Sequence, residues 1–170
     1  MKSWLSFLIG FLLVGCTDYK HDAETRFIYA NHTFNIPANP AVIAWTGSND
    51  NMLIFRYGSL QGKRYLTFSD LTQDKSIQHN CSHASFFAAV FSDTLYPECN
   101  QDEITAFRAI FTNEHHTGIW IIDNATVYFS IANGNAFLFI VDGFGTLIKV
   151  DSDFLTQAQL KRIIGLAQSD

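Results

Sequence analysis

From residue 26 onward the chain alternates short apolar runs with clusters of turn-forming residues, a pattern that predicts strands more often than helices. Arg26 to Ala30 and Thr33 to Ile36 read as two short strands around Asn31-His32, a hairpin, after which Pro37 and Pro40 stop pairing. Ala41 to Trp45, Met52 to Tyr57 and Arg64 to Phe68 follow as strands, separated by two segments rich in Gly, Ser, Asn and Asp. Beyond Thr117-Gly118, four more apolar runs begin at Ile119, Thr126, Ala136 and Thr146. Asp123-Asn124, Asn133-Gly134 and Gly143-Phe144-Gly145 lie between them, so this part predicts a four-stranded antiparallel meander.

Two stretches keep a helical period. Asn100 can cap a helix with Glu103 at its third position, which places Ile104, Phe107, Ile110 and Phe111 on one face. Thr156 and Gln159 form a capping box, Leu155 can staple onto Leu160, and Leu160, Ile163, Ile164 and Ala167 make an apolar stripe for packing on the sheet. The run Ala84 to Phe91 suits a buried helix or strand; its alanines and Ser82 as N-cap favour helix. Strands before, between and after helices without regular alternation predict an α+β fold with an antiparallel sheet.

The first residues differ in kind. Lys2 precedes a run from Trp4 to Val14 broken only by Ser6 and Gly10, too short for the roughly 20 apolar residues of a spanning helix and shaped like a secretory signal. It closes on Leu13-Val14-Gly15-Cys16, which resembles the lipobox of bacterial lipoprotein precursors at every position. That resemblance covers the first 16 residues and implies cleavage before Cys16, attachment of diacylglycerol to its sulfur and a palmitate-type acylation of the new amino terminus. Thr17 after the cysteine, with Asp18 one later, favours the outer membrane of the envelope over the inner, with the domain facing the periplasm. Residues 1–15 are thus expected to be a signal peptide, residues 16–25 the lipidated cysteine and a polar tether, and residues 26–170 one domain.

The net charge of −5 becomes slightly more acidic once Lys2 is removed, and no basic cluster in the sequence suggests nucleic acid as a partner. Past Cys16 only Cys81 and Cys99 remain, and an even pair in an exported domain predicts a disulfide. It would tie the start of one helical segment to the start of the next.

Candidate chemistry is sparse. His79, His83, His115 and His116 are the concentrated candidate metal ligands, but their spacing matches no zinc motif and Cys81 suits the disulfide better, so neither a metal nor a cofactor is expected. Ser82, Ser85 and Ser92 lie near histidines without a Gly-x-Ser-x-Gly elbow or an orienting carboxylate, and no catalytic residue is assigned. Neighbouring aromatics such as Tyr128-Phe129 must point to opposite sheet faces, which predicts helices over the second face or exposed aromatics there, with helical cover favoured.

These features predict a lipid-anchored envelope protein that binds another macromolecule without catalysis. In size, anchor and α+β pattern it resembles small acidic immunity lipoproteins, which implies occlusion of a delivered toxin by acidic and aromatic loops. An assembly or pilot lipoprotein of an outer-membrane machine, and an envelope hydrolase or metal-binding protein, are the alternatives. The contact residues are not evident from sequence.

Overall fold

The computed structural model describes residues 23–47, 51–74, 80–92 and 94–166. The expected lipidation site Cys16, the signal peptide, the polar stretch to Asp22, His79 and Ala167 lie outside the described residues.

β1 (Glu24–Tyr29) and β2 (His32–Pro37) form an antiparallel hairpin. Its turn sits at Ala30-Asn31, one residue earlier than the sequence suggests, because both adopt positive φ, 45° and 63°, as a tight two-residue hairpin turn requires. His32 therefore belongs to β2. Glu24 and Thr25, expected in the tether, pair with Pro37 and Ile36 and belong to the domain.

The main sheet is antiparallel and seven-stranded. Its strands are β3 (Val42–Thr46), β4 (Met52–Arg56), β5 (Tyr65–Asp70), β6 (His116–Ile122), β7 (Ala125–Ala132), β8 (Asn135–Asp142) and β9 (Leu147–Ser152), in the spatial order β3-β4-β5-β9-β8-β7-β6. The meander β6 to β9 forms as expected, and its last strand returns to pair with β5, Phe68 standing opposite Val150. Two local three-stranded and four-stranded units thus become one sheet through the single β5–β9 seam.

Alternation along the strands gives the sheet two apolar faces. One carries Phe55, Leu66, Phe68, Val127, Phe129, Leu138, Ile140 and Val150, and is covered by the hairpin and by α3 (Gln157–Ile163). Phe27 on the hairpin meets Phe55 and Phe68 at 5.2 and 5.0 Å between ring centres, while Phe34 lies 4.8 Å from Phe68. The other face carries Tyr128, Phe139, Val141 and Leu147 beneath α1 (His83–Phe91) and α2 (Gln101–Phe111). Phe87 of α1 stacks on Phe139 at 4.7 Å. Tyr128 and Phe129 divide between the two cores as the pleat demands.

Each helix starts on its predicted cap: Ser82 accepts from Ser85 N–H, Asn100 from Asp102 and Glu103, and Thr156 closes a capping box with Gln159. Cys81 and Cys99 are bonded, one residue before the caps Ser82 and Asn100, so the bridge joins the two helix starts. On α2, Ile104 is buried and Phe107 and Phe111 pack on α1 and the sheet, but Ile110 is exposed; α2 rests on α1 along a face narrower than the sequence stripe. No described helix is long and apolar enough to cross a membrane.

Candidate functional site

The hairpin's inward row, His32, Phe34 and Ile36, runs across the sheet so that His32 arrives over the turn between β8 and β9. There its Nε2 lies 3.2 Å from Oδ2 of Asp142, the last residue of β8. Asp142 is a hub. Its carboxylate accepts the backbone N–H of Phe144 at 2.9 Å and of Thr146 at 2.8 Å, together with the Thr146 hydroxyl, which folds Gly143-Phe144-Gly145 into a tight turn. Gly145 takes φ +86°, a conformation costly for any side chain. Gly143 N–H donates to Asn124 C=O at 3.0 Å, so the turn between β6 and β7, Asp123-Asn124, is joined to the first turn as one ledge.

A cleft of about 910 Å³ opens between this ledge and the hairpin. Arg26, Asn31, Asn35, Asp123 and Asn124 supply polar groups, and Ile121 and Phe144 form an apolar rim. Phe144 is 88% exposed and Ile121 66%. An aromatic ring so far out of the core gains almost nothing from folding, and its turn is nevertheless fixed by three hydrogen bonds to one carboxylate.

Burial by itself would raise the pKa of Asp142, but the Thr146 and Phe144 N–H groups, the Thr146 hydroxyl and His32 outweigh it, and the net shift is downward. The carboxylate therefore stays ionised at neutral pH. A histidine oriented by a carboxylate is half of an acid–base apparatus; of the two threonines that line the cleft, Thr146 already bonds Asp142 through its hydroxyl, and Thr33, next to His32 in sequence, is exposed. Amides, one guanidinium, one exposed carboxylate and an apolar rim are the makings of recognition.

The residues singled out in the sequence fall elsewhere. His83 opens α1, His115 donates to or accepts from Ser130 Oγ through Nδ1 at 2.7 Å, and the His116 ring lies 5.4 Å from that of Phe129. Among the described residues no three His, Cys, Asp or Glu side chains gather to hold a metal. Ser82 caps α1 and bonds Ser85, while Ser92 Oγ donates to Ala88 C=O at the other end. The serines serve the helix termini.

Helical cover of the second face is partial. α1 packs on β6, β7 and β8, while Val42 and Ala44 of the edge strand β3, which share that face, are exposed; Trp45 and Ile43, 67% and 62% exposed, lie on the opposite face with Phe55. His32, Asp142 and Phe144 were not singled out from sequence as a site, since 110 residues separate the hydrogen-bonded pair. The one local signal was Asp142 directly before Gly-Phe-Gly, the composition of a side-chain-closed turn.

The class defined by this architecture is an α+β protein with an antiparallel seven-stranded sheet, a hairpin crossing one face and a helical pair on the other. No family model, curated protein or solved structure matches the chain.

Proposed function

We propose that this is a lipid-anchored protein of the bacterial envelope that binds a protein partner through the ledge bearing Phe144, in an immunity-type role against a delivered toxin. The observation that carries the reading is Phe144 itself, held out of the fold on a turn fixed by Asp142. Exposed aromatics on preorganised turns are the usual anchors of protein interfaces, because little conformational freedom is lost when they are buried. Asp123 and the acidic net charge would steer a basic partner, and Phe144 with Ile121 would fill its cleft. Anchoring rests on Leu13-Val14-Gly15-Cys16.

The experiment has two parts: incorporation of labelled palmitate by the wild type and by Cys16→Ser, and purification from membranes of wild type and Phe144→Ala with the bound protein identified. Label on the wild type alone, and a basic partner lost with Phe144→Ala, support the reading; a partner retained equally by Phe144→Ala contradicts it.

A second reading, an assembly lipoprotein, is favoured by β3. This edge strand has the uncharged sequence Val-Ile-Ala-Trp-Thr, and Val42, Ile43, Ala44 and Trp45 are all exposed. A bare apolar edge of this kind accepts an added strand from another chain. Trp45→Lys would abolish partner binding on this reading and leave it intact on the first.

A further inference from the structure

A second cavity, of about 650 Å³, lies where the chain enters β1. Arg64 and Arg162 both line it, together with Glu24, Tyr57 and Phe154. Two arginines 98 positions apart in the sequence thus line one hollow of an otherwise acidic protein.

Arg64 is held there against local preference. Its φ is +54°, in the left-handed region that favours glycine or asparagine, at a typical cost of about 1 kcal/mol or more. Asp153 maintains the conformation by accepting the N–H of Arg64 at 3.0 Å and of Tyr65 at 2.8 Å. The guanidinium sits over the Phe154 ring, 5.2 Å from its centre. Gly58 makes room for it: a Cβ at that position would stand 3.3 Å from Cβ and Cδ of Arg64. Tyr57 donates its hydroxyl to Pro37 C=O at 2.7 Å, which fixes the cavity wall. A fork of planar donors is therefore preorganised in a cavity that Arg162 also lines.

We propose that this cavity binds a phosphate ester, clamped between the guanidinium groups of Arg64 and Arg162. Guanidinium forks match phosphate oxygens in geometry and charge better than a lysine does. Glu24, which also lines the cavity, opposes the anion and limits its affinity, while the carboxylate of Asp153 faces the two backbone N–H groups. The ester is presented by an anionic phospholipid headgroup or by a soluble phosphate. The first source rests on the lipid-anchor reading, since the seven Cα–Cα steps from Cys16 to Ala23 span at most about 25 Å and would hold the cavity near the bilayer. Affinity for phosphate does not depend on that reading.

Phenylglyoxal modification of arginines in the full mature protein, in neutral maltoside micelles and read residue by residue by mass spectrometry, tests it. Glycerol phosphate or phosphatidylglycerol added to the micelles should slow modification of Arg64 and Arg162 at least threefold and leave Arg26 unchanged. Glu24→Gln should strengthen the protection. Protection by phosphatidylglycerol alone identifies the lipid as the source; protection by glycerol phosphate identifies the phosphate itself as sufficient. No protection by either probe, or equal protection at Arg26, overturns the proposal. A failure of palmitate incorporation would remove the anchor without touching this result.

Discussion

The Nε2 of His32 and the Oδ2 of Asp142 lie 3.2 Å apart and join the start of the hairpin's second strand to the turn that presents Phe144. The contact ties a separate two-stranded sheet to the end of the main one, and the same carboxylate shapes the most exposed aromatic side chain among the described residues. On the proposed reading, stability and recognition therefore meet at Asp142.

Asp142→Asn removes an ionised acceptor of two backbone N–H groups and is expected to cost about 1.5–3 kcal/mol, the range for hydrogen bonds to a buried charge. Urea unfolding of the two proteins at pH 7 checks this. Because the folded pKa of Asp142 is depressed, its contribution is present above the ordinary value of 3.8 and is lost as pH falls through the lower folded value. The difference between wild type and Asp142→Asn should hold constant from pH 7 to about 5 and shrink only below about pH 4. A difference that instead vanishes well above about pH 5 would assign the effect to a group other than the Asp142 carboxylate.

Phe144→Ala should leave folding stability within about 0.5 kcal/mol of wild type, since an 88% exposed ring contributes little to the core. The same change should weaken partner binding by about tenfold or more, as truncation of an interface anchor does. Thermal unfolding and titration with the purified partner separate the two effects.

Gly118→Ala should destabilise the protein by about 1–3 kcal/mol through overpacking. An added Cβ would fall 2.6 Å from the Phe129 ring, which is sandwiched against Trp120 at 4.3 Å and has no room to retreat into the core. Trp120 fluorescence should follow the shift of the ring, and urea unfolding gives the magnitude.

Replacing Cys81 and Cys99 by serine should cost about 3 kcal/mol, mainly by freeing the unfolded chain, in the loop-closure account. The loss should act first on the helical pair. Hydrogen exchange should rise across α1 and α2 before it rises in β7 and β8.

Most of the elements were legible because each has a local cause. The caps at Ser82, Asn100 and Thr156, the Asn133-Gly134 turn and the strand alternation act within a few residues of one another. The position of the first turn was missed by one residue, since Ala30 carries no composition signal for the left-handed conformation it adopts. What joins the elements was less visible: the β5–β9 seam and the hairpin's crossing depend on which apolar faces meet, and many sequences of the same pattern would serve. The cleft was hidden for the same reason. His32 and Asp142 each look like a solvated turn residue until tertiary packing brings them together. Ile110 shows the converse, an apolar residue at the right helical period that is left exposed among the described residues.

Photocrosslinking in living cells tests the central claim, that the Phe144 ledge meets a protein partner, most directly. Phe144 is replaced by p-benzoylphenylalanine, and Leu60, an apolar residue 70% exposed in another loop, is replaced likewise as the comparison. A discrete adduct at position 144, containing a basic protein, with none at position 60, is the predicted result. No adduct at position 144, or the same adducts at both positions, would contradict it.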